Sequence, residues 1–211
     1  YLELASNQNY TEAQSELGMI FYKGKICEKD ITKAIKYFQL AAHLNDTFSL
    51  YMLGNIFLEE KELVYDVDKA IKYFKLASDQ GHSLSSYNLG IIYYNERYNK
   101  FDINKAIHYF ENAANLNNAE AQSHLGIIYS SGDFIKVNID KAILYFQLAA
   151  NQYHLPSIIE LANIFYVGKF IKRDIKKAIH YFKRAADGDN CYSLYKLGYI
   201  DQNGQIKSNI E

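Results

Sequence analysis

The sequence predicts an all-α chain, an α-α superhelix or solenoid of antiparallel helix hairpins with about five to six repeats of 36 residues. Three recurring blocks predict it, and all of them keep one frame. The first is Lys-Ala-Ile-x-Tyr-Phe, beginning at Lys33, Lys69, Lys105, Lys141 and Lys177. The second is Leu17-Gly18, Leu53-Gly54, Leu89-Gly90, Leu125-Gly126, Leu161-Ala162 and Leu197-Gly198. The third is a pair of small residues at Ala41-Ala42, Ala77-Ser78, Ala113-Ala114, Ala149-Ala150 and Ala185-Ala186, with Ala5-Ser6 ahead of them. Three registers that never slip leave no room for coincidence.

Each repeat reads as two helices. Helix B opens near Ile31 and carries Ala34, Ile35, Phe38, Ala41 and Ala42 at the spacing of a buried helical stripe. Asp30, Asp66, Asp102, Asn138 and Asp174 precede its copies, and a short side-chain oxygen there accepts a bond from a free backbone N–H. After the small pair come Asn9, Asn45, Gly81 and Asn117, residues that tolerate a left-handed turn. Tyr153 and Asp189 depart from that pattern. Helix A, for example Ala121 to Ser130, sets the Leu-Gly pair on one face with Ala13, Ser49, Ser85, Ala121, Ser157 and Ser193. A glycine inside a helix costs about 1 kcal/mol relative to alanine, so its recurrence predicts close approach of a neighbouring helix. Pro156 falls in a first turn, where its missing N–H does no harm.

Composition narrows the function classes. Of 211 residues, 49% are apolar and 22% charged, the balance of a folded chain. Net charge is −1, and no strongly basic stretch is expected to break it, which argues against a nucleic-acid partner. No apolar run approaches the ~18 residues of a membrane span. The opening residues have neither the basic nor the apolar part of a signal peptide, and read as the tail of a repeat already under way in a longer protein. Cys27 and Cys191 lack paired spacing and fall at different places in different repeats, too distant for a disulfide. That favours a reducing compartment such as the cytoplasm.

The register Leu17-Gly18, Phe21, Gly24, Asp30, Lys33-Ala34, Ala41-Ala42 resembles the Sel1-like repeat, a relative of the tetratricopeptide repeat with a longer A-to-B turn. The likeness covers essentially the whole chain. It implies a single array over 1–211: residues 1–9 end a helix B, helix pairs follow at about 11–45, 47–81, 83–117, 119–153 and 155–189, and a partial repeat occupies 191–211. Gly204 would open a further turn, with Ile210 at the expected cap and no partner helix after it, an end expected to self-associate with another copy. The family's G-x-G turn keeps its first glycine at Gly24, Gly132, Gly168 and Gly204, whereas Glu60 and Glu96 replace it. Ile26, Phe134 and Phe170 stand where its second glycine would be, and Tyr37, Tyr73, Tyr109, Tyr145 and Tyr181 replace its tryptophan.

Motifs with a chemical reading have a plainer one beside it. Ser193 and Lys196 match the S-x-x-K of serine acyl enzymes, yet Ser193 holds the small packing position of helix A. His108 and His180 share one repeat position and His82 and His154 another; none has chelating spacing, and all read as solvated polar residues. The sequons at Asn9 and Asn45 are explained by turn chemistry, and Cys27 reads as a small buried hydrophobe. Tyr37-Phe38 and its copies read as core. No catalytic constellation, metal set or cofactor loop emerges, and the chain is expected not to be an enzyme.

The resemblance implies that helix A lines an inner, concave wall. The candidate partner-binding residues on it are Tyr22, Tyr51, Asn55, Tyr87, Asn88, Tyr94, His124, Glu160, Asn163 and Tyr195. Tyrosines among amides and a few charges suit peptide recognition. The expected function is a scaffold or adaptor holding a partner protein or extended peptide. Two alternatives are a regulatory segment of a larger protein, as in ubiquitin-ligase or signalling complexes, and an enzyme of the penicillin-binding kind.

Overall fold

The computed structural model describes residues 1–59, 65–188 and 190–203. Glu60, Asp189, Gly204 and Ile210, on which expectations were placed, lie outside them. Among the described residues the chain is all-α, without a strand, and of the predicted helical-hairpin solenoid class. It forms two compact units, Tyr1–Leu116 and Asn117–Glu211. The first holds α1 (Leu2–Asn7), α2 (Thr11–Lys23), α3 (Ile31–His43), α4 (Thr47–Glu59), α5 (Val67–Ser78), α6 (Ser83–Tyr94), a 3-10 turn (Glu96–Tyr98) and α7 (Ile103–Asn115). The second holds α8 (Ala119–Ser131), α9 (Ile139–Asn151), α10 (Leu155–Val167), α11 (Ile175–Ala186) and α12 (Cys191–Gln202). The A helices α2, α4, α6, α8 and α10 each pack most closely on the B helix that follows, as α4 does on α5 and α10 on α11.

The repeating core is one phenylalanine per hairpin. Phe38, Phe74, Phe110, Phe146 and Phe182 are fully buried. Gly18, Gly54, Gly90 and Gly126 lie directly against the first four of these rings; an added Cβ would come within 2.5–2.6 Å of ring carbons. The glycine therefore lets an aromatic ring lie flat on the A-helix backbone. Ala162 takes the equivalent place in the fifth repeat, fully buried.

The aromatic pair is split, contrary to its reading as core throughout. The phenylalanines are buried, but Tyr37, Tyr73, Tyr109, Tyr145 and Tyr181 are only half-buried. Each stacks nearly parallel on an A-helix ring: Phe21, Phe57, Tyr93, Tyr129 and Phe165, with centroids 5.6–5.9 Å apart. The lysine of the same block lies over that A-helix ring at 4.8–5.3 Å. In four repeats it also pairs with the capping aspartate, at 3.1–3.7 Å. Asp30, Asp66, Asp102, Asn138 and Asp174 accept the predicted backbone N–H of the residue three positions on. That bond, first, and then the lysine hold the carboxyls of Asp30, Asp66 and Asp102 below their usual pKa. One cluster at the edge of the core thus fastens the two helices of a hairpin.

The A-to-B turn is closed the same way whether or not it has its glycine. Gly24, Gly132 and Gly168 adopt positive φ at the ends of α2, α8 and α10. In the third repeat, Glu96 begins the 3-10 turn instead, and Asn99 supplies the left-handed residue at φ 53°. The Asp102 N–H still reaches the Tyr93 carbonyl at 2.8 Å, as Asp30 reaches Phe21 at 2.9 Å. The B-to-A turns use Asn9, Asn45, Gly81 and Asn117 at positive φ, as expected. Tyr153 takes the same conformation at φ 61°, with its side chain 84% exposed. A bulky residue there is strained by contact of its Cβ with the backbone, and no packing offsets it. Tyr153→Asn is expected to raise stability by about 1 kcal/mol, read as a shift of the urea midpoint at constant slope.

Candidate partner-binding surface

Packing first claims part of the predicted surface. In the first unit Tyr51 lies 4.8 Å from the His82 ring and 6.2 Å from Phe74. Tyr87 and Tyr94 both rest on Phe110, at 5.9 and 6.2 Å. These tyrosines are half-buried, so one edge of each remains in solvent. Asn88 donates to Asn55 at 3.1 Å, joining α4 and α6 by an amide pair that keeps further donors and acceptors. Tyr22 is half-buried under the Lys29 ammonium, 5.6 Å from its ring.

In the second unit Tyr195 is 65% exposed, with Tyr199 beside it at 6.5 Å. Asn163 accepts the Tyr192 hydroxyl at 2.9 Å. His124 is half-buried, with Nδ1 2.9 Å from the Glu120 carbonyl. Glu160 is exposed, and partial desolvation raises its carboxyl pKa above the ordinary value. The structure thus brings together Asn55 with Asn88, and Tyr87 with Tyr94. Glu160 and Asn163 line one groove.

Two grooves at equivalent repeat positions flank these side chains. Glu16, Met19, Ile20, Lys23, Lys25 and Ile26 line one of about 310 Å³ in the first repeat. Glu160, Asn163, Ile164, Val167, Lys169 and Phe170 line its counterpart of about 350 Å³ in the fifth. Each offers an acid, a lysine and an exposed apolar residue, Ile26 or Phe170, in place of the second turn glycine. The substitutions are visible in the sequence, but the cleft they border is not, because its other walls come mainly from helix A.

His82 and His154 correct the solvated reading. They are N-caps of α6 and α10, their Nδ1 atoms accepting from the Ser85 and Ser157 N–H at 3.2 and 3.4 Å. The signal was available: Asp46, His82, Asn118, His154 and Asn190 recur every 36 residues, and each caps helix A. Burial lowers the pKa of His82. The unfolded chain therefore binds a proton more readily than the folded chain, and stability is lost as pH falls below the unfolded value of about 6.5. Protonation at Nδ1 also ends its role as acceptor. His82→Asn is expected to flatten the decline in melting temperature between about pH 7 and 5; an unchanged slope would contradict this.

The acyl-enzyme motif is dismantled by its geometry. Ser193 is fully buried and donates its hydroxyl to Asn190 at 2.9 Å. Lys196 lies over the Tyr166 and Tyr192 rings at 5.3 and 5.4 Å. Cys27 is half-buried, not buried, because the loop carrying it is open to solvent; Cys191 is exposed. Among the described residues no three His, Cys, Asp or Glu side chains could hold a metal, and no helix is long and apolar enough to cross a membrane.

The expected absence of a basic stretch is also corrected. Residues 169–184 hold seven Lys and Arg against the single Asp174. Averaging over a chain with 23 basic and 24 acidic residues concealed them.

Comparison with known proteins places the fold. The Sel1 repeat family model matches residues 11–46, 47–82, 83–118, 119–154, 156–190 and 191–211. The crystal structure of a Sel1 repeat protein from Oxalobacter formigenes is similar, with a TM-score of 0.75 and 24% identity over 91% of this chain and 78% of that one. So is c5321, a protective antigen of uropathogenic Escherichia coli, at a TM-score of 0.69 and 23% identity; 96% of this chain aligns to 51% of it, so the chain spans about half its length. The immunity protein Pa5087 from Pseudomonas aeruginosa aligns at a TM-score of 0.51 and 20% identity, over 88% of this chain and 71% of that one. No curated protein matches significantly. Six family matches on hairpins that repeat one core assign the chain to the Sel1 repeat family, whose members are generally protein-interaction modules.

Proposed function

We propose that the chain is a scaffold or adaptor that binds a partner protein or extended peptide on the exposed edges of its A helices. The observation that carries this is the division of labour within each repeat. Positions fixed by packing vary little from copy to copy: leucine, glycine (alanine in the fifth repeat), phenylalanine and the small pair. The neighbouring A-helix positions vary among tyrosine, asparagine, histidine and glutamate, and they keep open edges and spare hydrogen-bonding capacity. Varied side chains on an invariant frame are how repeat proteins present binding surfaces.

A catalytic role finds no support at its one candidate, since Ser193 is buried in packing with its hydroxyl committed, and Sel1 repeat proteins are typically non-enzymatic scaffolds. The test is a triple variant, Tyr22→Ala, Asn88→Ala and Tyr195→Ala, chosen because none of the three belongs to the buried core. Partner binding should fall while helical content and melting stay close to those of the parent.

A further inference from the structure

The cationic stretch of the fifth repeat frames a second surface. An open groove of about 750 Å³ lies among α9, the turn before α11 and the first turn of α11. Ile143, Phe165, Ile171 and Ile175 form its apolar floor, and Gln147 and Asp174 also line it. Lys172, Arg173, Lys176 and Lys177 stand exposed on its rim. Lys177 pairs with Asp174 at 3.7 Å, and Arg173 donates to the Tyr166 carbonyl at 3.0 Å. Lys172 and Lys176 take no carboxylate partner among the described residues.

Folding does not ask for a lysine at 176. The position of Lys176 is held by Thr32, Asp68, Asn104 and Asp140 in the other repeats. Those residues suit a first helical turn, where free N–H groups give the helix its positive end. A lysine there opposes the same field and is further repelled by Lys172, Arg173 and Lys177 within a Debye length. An anionic occupant relieves both.

We propose that this groove docks an acidic segment of a partner protein, its apolar side chains on Ile143, Ile171 and Ile175 and its carboxylates against Lys172 and Lys176. The apolar floor distinguishes this partner from a nucleic acid, because the one floor aromatic, Phe165, is 5% exposed and offers no stacking face. Ile143, Ile171 and Ile175 are half-buried while the four cations are exposed, so the isoleucines do not form an inserting face for a membrane. This surface does not depend on the A-helix reading.

The test uses a fluorescein-labelled peptide, Glu-Leu-Glu-Ile-Glu-Leu-Asp, titrated against the whole chain. Its Kd should rise about tenfold or more in Lys172→Ala/Lys176→Ala and in Lys176→Asp. Lys176→Asp restores the residue of the second and fourth repeats, so its melting temperature should equal or exceed that of the parent, excluding misfolding as the cause. The A-helix triple variant should leave this Kd unchanged, which separates the two surfaces. Absence of peptide binding, or equal affinity in both lysine variants, would overturn the proposal. So would tighter capture of oligo-deoxythymidine, or of vesicles of equal parts phosphatidylserine and phosphatidylcholine, lost in the same variants; either would reassign the groove to nucleic acid or membrane.

Discussion

Replacing Phe74 with alanine is expected to destabilise the first unit by about 3–5 kcal/mol, the range for emptying a buried aromatic site. The size follows from how completely the ring is enclosed. Phe74 is fully buried, Gly54 lies flat against it, and Tyr51 covers a further side at 6.2 Å. Helix backbones cannot collapse into the space as flexible side chains would, so most of the cavity should persist. Urea unfolding followed by helical circular dichroism reads the loss directly. The cost should be several times that of Tyr73→Ala, because Tyr73 is half-buried and stacks at the surface on Phe57. Equal costs for the two would mean that the paired aromatics share the core evenly, contrary to the structure.

The second large effect concerns binding. The triple variant Tyr22→Ala, Asn88→Ala and Tyr195→Ala is expected to weaken partner affinity by about a hundredfold or more, since aromatic anchors commonly contribute 2 kcal/mol or more each. Its effect on folding should be far smaller. Tyr195 is 65% exposed, Asn88 contributes one amide bond to Asn55, and Tyr22 lies under a lysine at the surface. A partner retained at full affinity would move the binding surface away from these helices.

Much of the architecture was legible because one solution is written several times over. A single Asp30 before a helix is weak evidence for a cap; five such residues in one frame are strong, and all five cap. The same recurrence read the Leu-Gly pair correctly as a site of close approach, and the ring against it proved to be the phenylalanine of the hairpin's own B helix. Adjacent positions were less readable. Tyr37 and Phe38 have the same periodicity, and only geometry shows that one stacks at the surface while the other fills the core. His82 and His154 escaped notice as caps because an imidazole is an unusual capping group, even though their turn position recurs.

The candidate surface was legible only by subtraction. Variation among repeats marks positions that packing leaves free, but it does not say how much of each side chain packing still uses. Tyr87 and Tyr94 illustrate this: both are candidate partner-binding residues, and both lean on Phe110. The charge of the fifth repeat was lost to averaging, and its apolar floor could not be assembled from sequence because Ile143 and Ile171 belong to different hairpins.

Contact between the A-helix edges and a partner is tested most directly by site-specific photo-crosslinking. Benzoylphenylalanine would be placed singly at Tyr22, Asn88 and Tyr195, and for comparison at Lys36 and Lys72, exposed on the B helices. The account predicts partner adducts from the first three positions and little from the other two. Adducts formed mainly at Lys36 and Lys72, with none at Tyr22, Asn88 or Tyr195, would contradict it.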